Sequence, residues 1–282
     1  MISVEKAKEI IAIKTIRLSQ KKKKVVDSVG HVIAEDIVAK INIPSFDNSA
    51  MDGFSLIHSD IENGVKEFTI LEDIKAGDHK EVFVSSGECA PTFTGAPIPN
   101  GADTIIMVEK TSERDGKMII EEGYNSKIGK HIRLLGEQIE EGKIALKKGN
   151  LINPSAAAYL SALGETEVQV YSSPKVKIIT TGNEIIQAGK PIKFGQIYES
   201  NSTALISLLK EQNVSEIYHE VGNDTSEELL ATLVDLEEYD IIILTGGISV
   251  GKYDLVADCL EDIGVKKEFH KISQKPGKEV SF

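Results

Sequence analysis

Two continuously apolar runs in the C-terminal part of the chain constrain its fold most strongly. They cover residues 176–181 and 240–245, and a glycine follows each one. Helical patterns alternate with these runs, at 202–212, 225–237 and 254–263. Strands that are apolar along their whole length and alternate with helices are typical of a parallel sheet covered on both faces. The sequence therefore predicts a parallel α/β domain over residues 174–282.

The middle of the chain has a different residue pattern. Between residues 55 and 130, short apolar runs alternate with turn residues, at 68–71, 81–84, 104–108 and 117–120. This spacing indicates a small β-rich domain or a partial barrel. A helix is expected from Pro154 to Gly164, and the α/β pattern follows it.

The N-terminal part combines helix and strand signals. Ser3 is a suitable N-cap for a helix over residues 4–16, whereas residues 25–26 and 32–39 are strand-like. The lysine run 21–24 lies between these elements. We expect it to form a solvated turn, because a run of like charges is best accommodated in water.

Composition excludes several classes of function. The net charge of −12 on 282 residues argues against bulk nucleic-acid binding, which depends on neutralising phosphates with Lys and Arg. No apolar run approaches the roughly 20 residues of a membrane helix, so no membrane partner is expected. Only Cys89 and Cys259 are present, which excludes a disulfide framework and favours the cytoplasm. Cys259 lies among apolar residues and is expected to be buried.

The polar segment 44–54 is a candidate site. It combines carboxylate, amide and hydroxyl groups, from Asp47, Asn48, Ser49 and Asp52. The glycine after Asp52 permits a backbone turn that other residues resist. Rigid loops with convergent carboxylates and amides are typical of sites. The alternative is an Asx-turn at a domain edge, in which Asp47 and Asn48 bond to their own backbone.

A second candidate loop covers residues 93–103, where two prolines and two glycines preset the backbone. It presents the Thr94 hydroxyl and the Asp103 carboxylate. A structural hairpin loop is an alternative interpretation, because such a loop has the same composition.

In the α/β part, the strand ends are the expected place for a ligand, because ligands of open α/β sheets bind beyond the carboxyl ends of the strands. Residues 180–184 follow one apolar run, and residues 245–251 follow the other. The second loop has glycines that let backbone N–H groups approach an anion, and it has the hydroxyls of Thr245 and Ser249. It matches neither a P-loop nor a Rossmann fingerprint. A tight βα turn without a ligand remains the alternative.

Two kinds of charged residue accompany these loops. Glu184 and Asp254 lie at the two loop mouths and can bind Mg²⁺ together with phosphate oxygens, or can cap helix N-termini. Lys275 and Lys278 flank a Pro-Gly pair, an arrangement that can hold an oxyanion. A solvated surface turn is the alternative for the lysines.

These segments together resemble the molybdopterin molybdenumtransferase family, which comprises the MoeA proteins and is related to the gephyrin E domain. The resemblance extends over nearly the whole chain. Its motifs are Phe-Asp-Asn-Ser-Ala-Met-Asp-Gly at 46–53, Phe-Thr-Gly-Ala-Pro-Ile-Pro-Asn-Gly-Ala-Asp at 93–103, Thr-Gly-Asn-Glu at 181–184, Ser-Asn at 200–201, Thr-Gly-Gly-Ile-Ser-Val-Gly at 245–251 and Lys-Pro-Gly-Lys at 275–278.

The resemblance implies a multidomain α/β fold. A MogA-like α/β/α parallel-sheet domain, for molybdopterin binding, covers 174–282, and a β-rich inserted domain covers 44–130. Residues 1–43 and 131–173 form an elongated N-terminal α+β domain. The resemblance also implies a homodimer whose active site lies in a cleft between the α/β domain of one subunit and the β-rich domain of the other.

The resemblance further implies a role in molybdenum cofactor biosynthesis. Adenylylated molybdopterin is hydrolysed with Mg²⁺, molybdate enters the dithiolene, and AMP is released. The upstream molybdopterin adenylyltransferase and apo-molybdoenzymes are implied partners. Carried over by position, catalytic roles fall to Asp52, Thr94, Glu184 and Asp254, of which Glu184 and Asp254 are the metal ligands. Ligand binding falls to Thr181, Gly182, Ser200, Asn201, Gly246, Gly247, Ser249, Gly251, Lys275 and Lys278.

Departures from the family pattern support a second hypothesis. Gln138 and Asn183 replace acidic residues that the family usually has, and Glu279 replaces a proline and adds negative charge beside the proposed oxyanion site. The final Gly-Leu-Pro-Gly-Asn-Pro loop and the C-terminal β-barrel domain of the family are missing, so we expect a truncated chain. The alternative function is a non-catalytic pterin-binding or scaffold protein that keeps the fold and the dimer.

Overall fold

The computed structural model describes residues 1–78, 80–222, 225–246 and 255–282. The helices are α1 (Val4–Lys14), α2 (His58–Glu62), α3 (Pro154–Ala162), α4 (Asn201–Glu211), α5 (Ser226–Thr232) and α6 (Leu255–Asp262). The strands are β1 (Gln20–Lys24), β2 (Ile37–Val38), β3 (Asn48–Ser49), β4 (Gly53–Leu56), β5 (Glu67–Ile70), β6 (Glu88–Thr92), β7 (Thr104–Met107), β8 (Thr111–Arg114), β9 (Lys117–Ile120), β10 (Ile132–Arg133), β11 (Ile144–Leu146), β12 (Glu167–Tyr171), β13 (Lys175–Thr181), β14 (Ile185–Ile186), β15 (Ile197–Tyr198), β16 (Glu216–Gly222) and β17 (Ile241–Thr245).

The chain forms two compact units. The first combines residues 1–35, 149–157 and 166–282, and the second combines residues 36–148 and 158–165. The domain boundaries expected from the sequence stay a prediction. No helix of the described residues is long and apolar enough to cross a membrane.

A parallel sheet is the core of the first unit. Its strand order is β16–β13–β17, with β13 in the centre. Alternate side chains of a strand point to opposite faces, and here both faces are covered. Val176 and Ile178 pack with residues of α4, whereas Ile179 packs with residues of α5 and α6. The structure therefore confirms the α/β fold class predicted from the apolar runs.

Smaller elements complete the first unit. Strand β1 pairs antiparallel with β12, and β14 pairs parallel with β15. Helix α1 buries Ala7 against Phe269 and Ile272 near the end of the chain. Ser3 caps this helix as predicted, because its side chain accepts a hydrogen bond from the Lys6 N–H.

A mixed sheet dominates the second unit. Its order is β7–β4–β6–β5–β9–β8, and β5 and β6 form its parallel pair. One apolar cluster under this sheet consists of Phe54, Leu56, Phe68, Cys89, Ile106 and Met118. Two short antiparallel pairs, β2 with β11 and β3 with β10, accompany the sheet. This architecture agrees with the expected β-rich part of the chain.

Some local predictions were wrong. Lysines 21–24 belong to β1 and do not form a turn, because their backbone pairs with β12 while most of their side chains remain in solvent. Residues 25–26 lie in the 3-10 helix Val25–Asp27, since Ser28 closes a turn onto the Val25 carbonyl. Residues 81–84 form only a single bridge, between Phe83 and Asn100.

Both cysteines lie in apolar surroundings. Cys89 and Cys259 are free and buried. Burial raises the pKa of the Cys89 thiol to about 12, and it also raises the pKa of the Cys259 thiol. Both groups therefore stay protonated at neutral pH and act as small hydrophobic side chains. The expected burial of Cys259 is confirmed.

Lys177 of β13 is a buried cation in the parallel sheet. Its side chain is 5% exposed, and its ammonium donates to the Thr232 carbonyl at 2.9 Å. It also pairs with Asp235 at 2.6 Å and Glu220 at 3.1 Å. Burial alone lowers the pKa of Lys177, but the two carboxylates outweigh burial and raise it above its usual value of 10.5. The ammonium therefore remains charged at neutral pH.

We predict that Lys177→Met lowers the free energy of unfolding by about 1–2 kcal/mol, because the buried Thr232 carbonyl loses its donor while the exposed carboxylates regain water. Since the folded-state pKa of Lys177 is raised, its contribution is complete below the ordinary lysine pKa and is lost as the pH rises through the raised value. Urea unfolding at pH 7 measures the effect. Lys175→Met, at an exposed position of the same strand, is the control and should change stability by less than about 0.5 kcal/mol. Equal stability of the two variants contradicts the assignment.

Candidate functional site

Backbone hydrogen bonds hold the segment 44–54 on two sides. On one side, the Ser49 N–H donates to the Ala96 carbonyl at 2.9 Å, and the Gly95 N–H donates to the Ser49 carbonyl at 2.8 Å. On the other side, the Ala50 N–H donates to the His131 carbonyl at 2.9 Å. These bonds fix the segment between residues 93–97 and the start of β10. The sequence hypothesis of a rigid loop at this place agrees with this geometry.

Several polar side chains of the segment serve the loop itself. The Asn48 amide donates to the Phe46 carbonyl at 3.3 Å, and the Ser49 hydroxyl donates to the Met51 carbonyl. These are the local bonds of the turn alternative. The Asp47 carboxylate instead accepts from the distant Leu135 N–H at 2.6 Å. It thereby ties the segment to the residues that follow β10.

Asp52 and Thr94 meet in the second unit. The Asp52 Oδ1 atom accepts from the Thr94 N–H at 2.7 Å and from the Thr94 hydroxyl at 2.8 Å. Both residues are exposed. The two donors lower the pKa of Asp52 below its usual value, the backbone bond first and the hydroxyl bond second. The pair therefore presents an ionised carboxylate to solvent at neutral pH.

Glycine is required at position 53 for a reason other than the predicted turn. It begins strand β4 and does not form a turn. A Cβ atom at this position would lie 2.2 Å from the Ile106 carbonyl oxygen of the neighbouring β7. Only glycine allows β4 and β7 to approach so closely directly after Asp52.

Asp103 has a structural role in the same unit. Its Oδ1 atom accepts from the His58 N–H at 2.7 Å, at the start of α2. It therefore satisfies a backbone N–H group at the N-terminus of α2. The carboxylate at this end of the loop 93–103 thus makes a hydrogen bond within the protein.

A shallow cleft of about 490 Å³ lies between residues 136–140 and 143–145, with Tyr159 at its edge. Gln138, which replaces an acidic residue of the family pattern, lines this cleft. The Gln138 N–H donates to the Ile43 carbonyl at 2.9 Å, and the Gly136 N–H donates to the Pro44 carbonyl at 2.9 Å. The cleft wall is thus joined to the start of the segment 44–54.

We predict that Thr94→Val raises the pKa of Asp52 toward its ordinary value, because the variant loses the hydroxyl donor and keeps the backbone N–H. In the folded protein the ionised form is favoured, so the Asp52–Thr94 bond stabilises the fold above the ordinary pKa and is lost as the pH falls through the lowered value. Carboxyl-carbon NMR titration measures the pKa. Thr94→Ser keeps a hydroxyl and should retain the lowered value. An unchanged pKa in the valine variant contradicts the assignment.

We predict that Gly53→Ala destabilises the protein by more than about 2 kcal/mol, because the new Cβ meets a backbone carbonyl that cannot move without breaking the β4–β7 ladder. Thermal unfolding measures the change. Gly222→Ala is the matched control: it lies in β16, and its nearest new contact is an ordinary 3.5 Å. Equal melting temperatures of the two variants contradict the role of Gly53.

In the first unit, two strand ends come together at the carboxyl edge of the parallel sheet. Thr181 ends β13 and is 3% exposed, and its hydroxyl has no hydrogen-bond partner among the described residues. Gly246 follows β17, and a Cβ atom there would lie 2.2 Å from the Thr181 carbonyl oxygen. The Asn201 amide donates to the Thr245 hydroxyl at 2.8 Å. Thr181, Asn201 and Gly246 therefore lie close together at this edge of the sheet.

The Glu184 carboxylate lies beside Gly182, directly after β13. A Cβ atom on Gly182 would lie 2.9 Å from both carboxylate oxygens of Glu184. Ser200 is the N-cap residue of α4, but its side chain makes no capping bond. Glu199 caps that helix instead, since its carboxylate accepts from the Ser202 N–H at 2.7 Å. Glu199 was not among the predicted residues, although a glutamate beside Ser-Asn at a helix start is a signal for it.

Lys275 and Lys278 lie on an exposed hairpin near the C-terminus. The Ile272 N–H donates to the Lys278 carbonyl at 3.0 Å, and Gly277 has a positive φ of 96°. Glu279 pairs with Lys271 at 3.2 Å. Its charge is therefore partly neutralised, although the sequence suggested that it adds negative charge to the lysine site.

Four predicted site residues lie outside the described residues: Gly247, Ser249, Gly251 and Asp254. The proposed metal pair of Glu184 and Asp254 is for this reason represented by Glu184 alone. Within the described ranges, no group of three His, Cys, Asp or Glu side chains is placed to hold a metal ion.

The comparisons with known proteins agree along the whole chain. Residues 2–164 match the family described as the MoeA N-terminal region (domain I and II), and residues 177–282 match the probable molybdopterin binding domain. The molybdopterin molybdenumtransferase of Staphylococcus aureus (strain Mu50) is 34% identical over 255 residues, which are 89% of this chain and 60% of that protein. The Staphylococcus epidermidis protein of the same name (strain RP62A) is 35% identical over 257 residues, 89% of this chain and 61% of that one.

Solved structures give the same result. Two structures of the molybdopterin biosynthesis protein MoeA from Pyrococcus horikoshii superpose with TM-scores of 0.76 and 0.82, at 30% and 29% identity. Each covers 100% of this chain, and the chain covers 71% and 72% of theirs. The chain spans about three fifths of the length of the curated relatives it matches. By sequence and by fold, the chain belongs to the MoeA family.

Proposed function

We propose that this protein acts in molybdenum cofactor biosynthesis as a molybdopterin molybdenumtransferase. In this reaction adenylylated molybdopterin is hydrolysed, molybdate enters the dithiolene, and AMP leaves. The observation that carries the proposal is the strand-end arrangement of the first unit. There a buried Thr181 hydroxyl without a described partner lies beside a glycine that could not carry a side chain. Such a place suits an anionic ligand that accepts hydrogen bonds from hydroxyls and backbone N–H groups.

Each proposed binding residue contributes a group that an anion can use. Thr181 offers its hydroxyl, and Gly182 and Gly246 allow close approach of the backbone. The predicted contributions of Gly247, Ser249 and Gly251 are of the same kind. Ser200 and Asn201 lie at the start of α4, and Asn201 is already oriented by Thr245. Lys275 and Lys278 act as point charges for the molybdate oxyanion.

We further propose that the site takes a divalent metal whose coordination is completed by its substrate. Glu184 presents an exposed carboxylate beside Gly182, directly after β13. Mg²⁺ commonly takes one or two carboxylates and fills its remaining positions with water and substrate phosphates. We propose Glu184 and Asp254 as these carboxylates. When bound, the metal neutralises phosphate charge and polarises the phosphoryl group.

We propose catalytic roles for Asp52 and Thr94 of the second unit. Because the Thr94 donors lower the pKa of Asp52, this carboxylate is ionised at neutral pH. It can therefore accept a proton or a hydrogen bond, and it cannot act as a general acid from its resting state. In the proposal, Thr94 holds Asp52 in one orientation, and Asp52 orients a donor of the substrate or of the attacking water.

We further propose that the protein is a cytoplasmic homodimer whose two subunits share the site. In this role it contacts the upstream adenylyltransferase and apo-molybdoenzymes. The free, buried cysteines suit a reducing compartment. Analytical ultracentrifugation of the full chain tests the dimer, and a monomer at the concentration used in the activity assay contradicts it.

The decisive experiment supplies the full chain with adenylylated molybdopterin, Mg²⁺ and molybdate and measures AMP. AMP release that depends on both the protein and the metal supports the enzyme. Tight pterin binding without AMP release instead identifies a non-catalytic pterin-binding or scaffold protein. Measuring AMP release after chelation of the metal, and again after the metal is added back, provides the internal control.

We predict that Asp52→Asn lowers the rate of AMP release by at least about 10²-fold while the fold remains stable, because the amide oxygen still accepts from Thr94 but carries no charge. Asp115→Asn is the matched control. It removes one exposed carboxylate from the β8–β9 turn, where a positive φ of 54° also suits asparagine. Equal rates for the Asp52 variant and the unaltered protein remove Asp52 from the site.

A further inference from the structure

The lysine-rich strand β1 is an open edge of the first unit. In the described residues its sheet has the order β1–β12, so β1 pairs on one side. All residues of β1 except the half-buried Lys23 are exposed. The proposed reaction does not use this strand. Open edges with unpaired backbone groups are places where another chain can add a strand.

The register shows which backbone groups face outward. The Val25 N–H donates to the Thr166 carbonyl at 3.0 Å, and the Ser172 N–H donates to the Ser19 carbonyl at 2.8 Å. Hydrogen-bonded pairs alternate along an antiparallel ladder, so Lys21 and Lys23 direct their backbone groups toward β12. The backbone N–H and C=O groups of Gln20, Lys22 and Lys24 therefore point away from the sheet.

The side chains of β1 make both faces of this edge cationic. Lys21 and Lys23 lie opposite Val170 and Val168, on the face that carries buried apolar residues. Their charge contributes to the lowered pKa of the neighbouring His31, after burial of that ring. Lys22 and Lys24 lie on the other face. This concentration of positive charge occurs on a chain whose net charge is −12.

We propose that β1 is a docking edge for an extended acidic segment of a partner protein, which adds a strand to the β1–β12 pair. The outward N–H and C=O groups of Lys22 and Lys24 bond to the partner's backbone. Acidic side chains at alternating positions lie beside the lysines. Cross-strand pairs of opposite charge stabilise such an arrangement.

Two other occupants fit the edge less well. A second copy of β1 would place lysine opposite lysine, and like charges directly opposite each other are destabilising. A nucleic acid offers phosphate acceptors, whereas the edge presents donors and acceptors in alternation. The net negative charge also disfavours a polyanion of high charge density. An acidic peptide offers backbone donors and acceptors in alternation, and its charge density is lower than that of a nucleic acid.

The test measures binding of a fluorescein-labelled synthetic peptide of alternating Glu and Thr to the full chain, by fluorescence anisotropy at low and physiological salt. We expect saturable binding that weakens as salt rises. The same peptide N-methylated at alternate amides keeps its charge but cannot pair with a strand edge, and it should bind at least about tenfold more weakly. Equal binding of the two peptides overturns the proposal, because it shows charge attraction alone.

Two variants locate the site. Lys22→Glu with Lys24→Glu should weaken peptide binding at least about tenfold. The control Lys266→Glu with Lys267→Glu makes the same charge change at exposed residues outside the sheets, and its binding should equal that of the unaltered protein. Equal weakening by both pairs overturns the proposal.

Lys22→Pro tests the backbone contribution separately. It removes one outward N–H and keeps the other lysines, and proline is tolerated on the open side of an edge strand. We expect the same loss of peptide binding, with a melting temperature close to that of the unaltered protein. If this variant is unfolded, the N-methylated peptide decides the question. Tighter binding of a single-stranded oligonucleotide than of the acidic peptide also overturns the proposal.

Discussion

Close backbone approach at glycine determines the geometry of the candidate site residues in both units. In the second unit, a Cβ atom on Gly53 would lie only 2.2 Å from the Ile106 carbonyl oxygen. In the first unit, a Cβ atom on Gly246 would lie at the same distance from the Thr181 carbonyl oxygen. A carbonyl of a paired strand cannot move aside as a flexible side chain can. Each glycine thereby fixes the backbone next to a polar residue that the proposal uses, Asp52 in one unit and Thr181 in the other.

The segment 44–54 shows how such a fixed backbone selects among polar side chains. Asn48 and Ser49 bond within the segment, and Asp47 bonds to the Leu135 N–H. Their hydrogen-bonding capacity is used to hold the loop. Asp52 is held by Thr94 in a different way, because both bonds reach the same oxygen atom, Oδ1. The bonds of Asn48 and Ser49 are those of the turn interpretation, whereas the site interpretation of Asp52 stays a prediction.

The sequence was sufficient for features that depend on local pattern. The apolar run 176–181 predicted the central strand β13, and Ser3 predicted the start of α1. The sequence was insufficient where contact with residues distant in the chain determines the local structure. Lysines 21–24 have no strand preference of their own, and only the backbone of β12 makes them a strand. Gly53 was attributed to a turn, because no local signal reveals that β7 lies against it.

Charge balance around the predicted lysine site also depends on tertiary contacts. Glu279 follows Lys278 in sequence, and sequence alone suggests that the two charges compensate each other. In the structure Lys271 has a positive φ of 67° and pairs with Glu279 at 3.2 Å across the hairpin. Because Lys271 lies beside the Glu279 carboxylate, its positive charge offsets part of the negative potential that Glu279 creates at Lys275 and Lys278. The departure from the family pattern at residue 279 is thus compatible with an oxyanion site, because its charge is directed to a lysine outside the motif.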